Sequence, residues 1–461
     1  MEGPRQGQRS RPKAPRTDRG RLALVLVLIA AVTLFTATVP LLRDWFDLRV
    51  YHGTVHSWLH DGGPLYAYRV PGTAYGFTYP PFAAVVMAPM ALFGLRTAIA
   101  LALLLNLAAL LAVLRLLTGR AWRRYGWYGC ALAACVLALY EPLRDTFSFG
   151  QVNVILLALV LIDMWLLAHG RSRWAGVGIG LAAAIKLTPA VFIGLLLIAG
   201  RRRAAAVATL VAAAATGLAA LIAPGASRYY WTEAMWDTTR VGRLDYVSNQ
   251  SLQGVLARLG ETGRPAWAVA VAVVLGVWAW RSRRAVAAGD WRAAFALTGL
   301  TACLISPITW VHHLVWLLPS FAVLLRAGHW KIAGTLYAVL CTSVVWLWFD
   351  DASGVDGFLG GNLYTWVTLG LLLWLPVGQS ARMPSLRSTS TTVPAPRQAA
   401  NPMARAPGQP GPVSGARVMA TGTDAGSEAD RDPARSASSE PTGSTRPAAS
   451  KPQSSSDRAS S

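Results

Sequence analysis

The sequence predicts an all-α polytopic membrane protein, and three observations carry that reading. Of the 461 residues 54% are apolar and only 14% are charged, against about 25% in a soluble domain. Hydrophobic stretches recur from Leu22 to about Gly378, several of them long enough to cross ~30 Å of hydrocarbon as a helix. The net charge of +21 sits in short clusters between apolar runs. That pattern orients a membrane protein and is not the continuous basic stripe of a nucleic-acid binder. Cys130, Cys135, Cys303 and Cys341 lie in or beside apolar segments without metal-ligand spacing, so they read as small buried hydrophobes.

Residues 1–21 form a basic arm ahead of the apolar run Leu22–Leu42. That run is too long for a signal-peptide core and lacks a clean cleavage site, so it is expected to stay as a first helix with the N-terminus cytoplasmic. Residues 22–377 form the multi-pass domain. Residues 378–461 are rich in Ser, Pro, Ala, Thr and Arg; with few large apolar residues they are expected to be a disordered cytoplasmic tail.

Placing every Arg/Lys cluster on the cytoplasmic side gives about twelve transmembrane helices. They run near 22–42, 97–118, 127–140, 151–169, 174–185, 189–200, 204–223, 265–280, 293–306, 314–327, 332–349 and 363–377. In this threading residues 80–94 do not cross, and 174–200 turns back near Lys186. The rival lets 80–95 cross and makes 174–200 one pass. It puts Arg120, Arg123 and Arg124 outside and buries Lys186 mid-membrane, at a cost of at least ~2.5–3.5 kcal/mol. The preferred threading collects every polar, motif-like segment on the outer face of a plasma membrane: 43–80, 141–150, the turn at Lys186, 224–264 and Ser306–His313.

Each segment reads two ways. In 43–80, Asp44, Asp47 or Asp61 could serve as a general base at the membrane surface, with Trp45, Phe46, Trp58, Tyr66, Tyr68 and Tyr79 as a stacking shelf for sugars. The plainer reading is an amphipathic surface helix with an aromatic belt. His52, His56 and His60 share a helical face, which suits a metal site or a solvated stripe. Ser148–Asn153 offers amide donors at a helix start, either capping it or meeting a hydroxyl-rich or anionic ligand. Lys186, between two apolar arms, either snorkels or is reserved for an anion such as phosphate. In 224–264, Arg240, Arg243, Asn249 and Gln250 suit phosphate and hydroxyls, and Asn249-Gln250-Ser251 also fits a glycosylation pattern weakly. His312 and His313 beside Trp310 are either polar anchors or donors to a leaving phosphate.

Taken in order, these segments resemble a known family. Asp-Leu-x-Val-Tyr (Asp47–Tyr51), Phe-Thr-Tyr-Pro-Pro-Phe (Phe77–Phe82), Gly-Gln-Val-Asn (Gly150–Asn153), Lys-Leu-Thr-Pro (Lys186–Pro189), Asn-Gln-Ser (Asn249–Ser251) and Ser-Pro-Ile-Thr-Trp-x-His-His (Ser306–His313) resemble glycosyltransferase family 87. These are polyprenol-phosphate-mannose-dependent α-1,2-mannosyltransferases of lipoglycan and phosphatidylinositol mannoside synthesis. The resemblance covers about residues 22–377. It implies a GT-C membrane fold, a polyprenyl-phosphate sugar donor and a glycolipid acceptor. It also implies an acidic catalytic base in the first outer loop, fitted by Asp47 with Asp44 as competitor. Lys186, His312 and His313 would then face the donor phosphate, and Gln151, Asn153, Asn249 and Gln250 the donor or acceptor sugars. The residues themselves add Arg240 as a phosphate contact and Tyr79 as a sugar contact.

The chain has no convincing GxGxxG strand–helix unit, and a nucleotide sugar is not available outside the membrane, so a lipid-linked donor is expected. Inverting displacement needs a base and charge stabilisation for the departing phosphate. The motifs require no cofactor; dependence on a divalent metal stays open, since GT-C relatives vary. Besides its substrates the chain is expected to contact membrane lipids and no nucleic acid. Transfer of another polyprenyl-phosphate sugar such as arabinofuranose, or transport of a lipid or solute, are the alternatives.

Overall fold

The computed structural model describes residues 17–38, 44–119, 121–171, 173–260 and 263–378; the arm up to residue 16 and the tail from 379 lie outside them. Regular structure among the described residues is helical, apart from one isolated bridge between Arg69 and Gly76.

Helix α1 (Asp18–Thr38) begins inside the basic arm, so Arg19 and Arg21 are already helical. The first long polar segment opens with α2 (Phe46–His60), which buries Leu48, Tyr51 and Val55 along one side. That is the i, i+3, i+4 stripe of a surface helix. Its neighbours are α3 (Pro81–Met87) and the 3-10 turn Ala88–Leu92. At about 1.5 Å per residue α3 and this turn are too short to cross the hydrocarbon.

Next come α4 (Leu95–Thr118) and α5 (Ala121–Leu139), the latter interrupted by non-helical backbone at Gly126. The part of α5 after that break bends by 82° into α6 (Glu141–Phe149). Pro142 sits in the first turn of α6, where its missing N–H costs nothing. Helix α7 (Asn153–Ala168) follows directly.

Helices α8 (Val177–Ile185), α9 (Val191–Ile198) and α10 (Arg202–Ile222) decide where Lys186 goes. Gly176 and Gly180 lie so close to the carbonyls of Ala204 and Ala208 that an added Cβ would sit 2.2 and 2.5 Å from them. Further along, Ala184 packs with Ala215 and Ala219. So α8 runs parallel to α10, while α9 leads straight back to the start of α10. The two short helices form a hairpin with Lys186 at its tip. Pro189 explains the break, because it cannot donate to the Ile185 carbonyl as a continuous helix would require. With nine and eight residues, each arm covers only about half of a bilayer at 1.5 Å per residue. These arms therefore correct the two separate passes expected near 174–200. The chain does turn back at Lys186, but arms this short do not carry that turn across to the opposite face. Asp163 of α7, 1% exposed, holds the hairpin's base by accepting the Ile179 N–H at 2.7 Å.

The second polar segment contains α11 (Pro224–Thr232) and α12 (Leu252–Arg258). Helix α13 (Arg264–Ala287) runs past the expected end near 280, which makes Arg281, Arg283 and Arg284 helical. Arg281 satisfies the orphan carbonyls of Leu372 and Leu375 at another helix end. Helix α14 (Trp291–Ile305) is the centre of the core, buried continuously from Ala293 to Leu304. Helices α15 (Leu318–Arg326), α16 (Trp330–Cys341), α17 (Gly354–Gly360) and α18 (Leu363–Trp374) complete the fold. The single helix expected over 332–349 ends at Cys341. Ser343 is left-handed with φ 56, and a 3-10 turn follows over Val344–Trp348.

Among the described residues three helices, α4, α10 and α13, are long and apolar enough to cross a membrane, and the bent pair after Gly126 would add a fourth. Seven other apolar helical stretches are shorter. Leu104, Leu210, Leu221, Val269 and Val273 are more than 60% exposed on the long helices. Large aliphatic side chains lining the outside of such helices place them in lipid: the chain is an all-α membrane protein.

Candidate active site

Five distant polar segments meet around one cavity of about 450 Å³. Asp47 enters it from the first turn of α2. The Trp45 amide donates to the Ser148 carbonyl at 2.9 Å and ties the start of α2 to α6. Gly150 ends α6 in the left-handed conformation (φ 73), and a Cβ there would lie 2.6 Å from Leu48 Cβ. A glycine thus serves both the cap and the close approach of α2. The next residue, Gln151, is thereby delivered to Asp47, and its Nε2 donates to Oδ2 at 2.7 Å.

Burial pushes the Asp47 carboxyl up to about 6, against the opposing pull of the Gln151 hydrogen bond and of the Lys186 charge. A carboxylate near this value is suited to accept a proton close to neutrality. Tyr79 donates to Gln151 Oε1 at 2.9 Å, and its hydroxyl is 2.9 Å from that of Tyr51.

Lys186 reaches across from the hairpin tip. Its Nζ lies 2.7 Å from His313 Nε2, 3.0 Å from Asn153 Oδ1 and 3.5 Å from the Tyr79 hydroxyl, with the ammonium 5.0 Å over the Tyr79 ring. Among the described residues it forms no salt bridge. The Trp310 amide donates to His313 Nδ1 at 3.1 Å. The ring proton therefore belongs on Nε2, where it faces the lysine. Nitrogens 2.7 Å apart leave no room for an anion between them; both line the cavity, where an anion would meet Lys186 and His313 side by side. His312 also lines the cavity, its ring edge-on to Phe149 at 5.2 Å. Arg240 lies in the wall formed by the second long polar segment, its guanidinium 5.4 Å from the rings of both Tyr66 and Tyr229.

Not every expected residue joins. Asp44 is exposed and paired with Arg49 at 2.5 Å, and it is absent from the cavity lining. Asn249 and Gln250 are fully buried elsewhere. Asn249 donates to the Leu244 and Pro307 carbonyls and accepts the Thr309 amide. Gln250 joins Val247 and Gly361 to Thr365. Both are braces, because backbone groups consume their polar atoms. With no exposure, Asn249 is no glycosylation acceptor either. Two rings of the His52–His56–His60 ladder contact backbone carbonyls, of Phe93 and Ala91, and so pin α2 to the turn beside α3.

The cavity is also lined by residues to which the sequence assigns no role, among them Tyr51 and Asp145. Tyr51 stands four residues after Asp47, the spacing that shares a helix face; that interval was the available signal. Asp145 on α6 is 1% exposed, and an isolated acid in a polar stretch gave no cue.

Residues 77–307 match the family model described as glycosyltransferase family 87. The chain is 32% identical over 383 residues to the polyprenol-phosphate-mannose-dependent alpha-(1-2)-phosphatidylinositol mannoside mannosyltransferase of Mycolicibacterium smegmatis, covering 73% of this chain and 84% of that one. It is 33% identical over 390 residues to the corresponding phosphatidylinositol pentamannoside mannosyltransferase of Mycobacterium tuberculosis, covering 79% and 88%. An alpha-(1->3)-arabinofuranosyltransferase of Corynebacterium glutamicum is 29% identical over 41% of this chain and 44% of its own. No solved structure matches. The chain belongs to glycosyltransferase family 87 and is a glycosyltransferase.

Proposed function

We propose that this enzyme moves mannose from polyprenyl-phosphate-mannose to a mannosylated glycolipid, forming an α-1,2 linkage with inversion. The observation that carries the reading is one cavity with a carboxylate on one wall, Asp47, and the donor pair Lys186 and His313 on another. The names of the relatives supply the donor and the class of acceptor. Asp47 takes the proton of an acceptor mannose hydroxyl, and that oxygen bonds to the anomeric carbon. The carbon–oxygen bond to phosphate breaks, and polyprenyl phosphate leaves with the electron pair. Lys186 and the Nε2–H of His313 offset the charge growing on the phosphate, and Arg240 adds a further cation in the wall.

In this reading the site belongs to a GT-C fold and opens to the outer face of the plasma membrane, with both termini cytoplasmic, as the positions of the basic clusters favour. Tyr79, Gln151 and Asn153 stand nearest the carboxylate and the lysine among the expected sugar contacts. The cavity-lining position of Asp47 supports it over the exposed Asp44. Membership in a transferase family removes the reason to read the break at Lys186 as a transporter feature. The match to an arabinofuranosyltransferase favours one second reading, transfer of another polyprenyl-phosphate sugar on the same scaffold.

The test is transfer of radiolabelled mannose from polyprenyl-phosphate-mannose to glycolipid acceptors by the purified full chain and by Asp47→Asn. Transfer lost in the variant supports both the reaction and the base. Retained transfer moves the base elsewhere, with Asp145 and Asp237 the other carboxylates lining the cavity. No transfer of mannose but transfer of arabinofuranose establishes the second reading.

A further inference from the structure

The hydrogen bonds behind Asp47 run in one direction. A side-chain amide nitrogen only donates and its oxygen only accepts. The 2.7 Å contact therefore makes Asp47 Oδ2 the acceptor, and the 2.9 Å contact at Gln151 Oε1 uses the Tyr79 proton. Tyr79 has no second proton, so its 2.9 Å contact with Tyr51 has Tyr51 as donor. Lys186, 3.5 Å away, also approaches the Tyr79 oxygen as a donor. The sequence of donation is Tyr51 to Tyr79 to Gln151 to Asp47, and every link favours the ionised carboxylate.

The amide cannot turn over without loss. A flip would set Oε1 against the Asp47 carboxylate and the NH2 against the Tyr79 hydroxyl proton. Gln151, Tyr51 and Tyr79 are 3%, 4% and 8% exposed, so water is a poor substitute for the lost partners. With Oδ2 engaged, Oδ1 is the oxygen left for a substrate hydroxyl.

We infer that Gln151 is a positioning residue for the base rather than a sugar contact: it fixes the Asp47 carboxylate, and Tyr79 and Tyr51 fix Gln151. The inference rests on the reading of Asp47 as the base. Its consequence is kinetic. Removing the amide should weaken the transition state and disfavour the ionised base while leaving both substrates bound. The other charged or titratable groups lining the cavity around Asp47 include Lys186, His312, His313, Asp145, Asp237, Arg240 and Arg243, with the tyrosines Tyr75, Tyr230 and Tyr246; the variants below leave all of them in place.

The experiment measures kcat and KM for polyprenyl-phosphate-mannose and for a glycolipid acceptor from pH 5 to 9, using the purified full chain. Gln151→Leu should lower kcat by ~10–100-fold and move the acid limb up by about one pH unit, with both KM values within about threefold of wild type. Gln151→Glu should move the limb further, because two adjacent carboxyl groups resist joint ionisation. Tyr51→Phe, which trims one hydroxyl at the far end, should give a smaller shift in the same direction. It decides the matter if Gln151→Leu unfolds or is too slow to titrate. A raised KM with kcat and limb unchanged would make Gln151 a sugar contact and overturn the inference, as would an unmoved limb in Tyr51→Phe and both Gln151 variants. Asp47→Asn separates the two levels. If that variant keeps its activity, the base assignment itself is wrong. If it is inactive while the Gln151 and Tyr51 variants keep a normal limb, only the positioning role falls.

Discussion

Two short amide motifs, Gly-Gln-Val-Asn at 150–153 and Asn-Gln-Ser at 249–251, look alike in sequence and end in opposite places. In the first, Gln151 meets a carboxylate at the cavity, and Asn153, fully buried behind the cavity wall, meets an ammonium. In the second, Asn249 and Gln250 meet mainly backbone carbonyls and amides of 244–247, 307–309 and 361–365, and Ser251 caps α12 through the Gly254 amide. The chemistry of an amide is the same in both. What differs is the partner: a charged side chain leaves a group free to do chemistry, whereas backbone partners consume every valence in holding loops together. Amide residues on the polar side of a membrane protein are therefore weak evidence of a site until their neighbours are known.

The contrast breaks most sharply under substitution. Asp47→Asn should cut transfer by ~10³-fold at unchanged acceptor binding, since general-base contributions run from ~10² to 10⁴; steady-state kinetics check it. Lys186→Met should cost ~10²-fold through the leaving phosphate, and the loss should shrink with a donor carrying a better leaving group. Asn249→Leu should behave oppositely. It should lower thermal stability by ~2–4 kcal/mol by orphaning buried backbone groups, while folded enzyme at low temperature keeps wild-type KM values. If it instead raised KM with stability intact, the two motifs would not differ as described.

Protonation gives a finer test. With the Asp47 carboxyl at about 6, transfer should rise with pH through that value as the base ionises. The stability effect has the reverse sign. A carboxyl raised above its unfolded value of 3.8 contributes stability that is present below that value and lost as pH rises through about 6. Asp47→Asn should therefore melt higher than wild type above pH 6, by on the order of 1 kcal/mol, and show no such gain near pH 4. The smallest effect belongs to Asp44→Asn. An exposed ion pair contributes ~0–1 kcal/mol, so activity should stay within about twofold.

The sequence by itself determined the helical membrane class, the family and the residues Asp47, Lys186, Gln151, Asn153, His312 and His313 as worth watching. Hydropathy and basic clusters are local properties of a chain in lipid, so they can be read along it. Helix ends were less legible. The left-handed Ser343 and the extension of α13 through Arg281 depend on distant partners, the side chain of Arg144 and the carbonyls of Leu372 and Leu375. The tertiary structure alone decided that Asp47 rather than Asp44 meets the cavity. It also decided that Asn249 and Gln250 are braces, that the Lys186 hairpin has half-length arms, and that Tyr51 and Asp145 line the site. For the site residues the physical reason is that a hydrogen-bonding side chain takes its role from its partner. Deciding partners such as Gln151 for Asp47 and Gly361 for Gln250 stand 104 and 111 residues away in the chain. The hairpin arms are short because Pro189 breaks the helix.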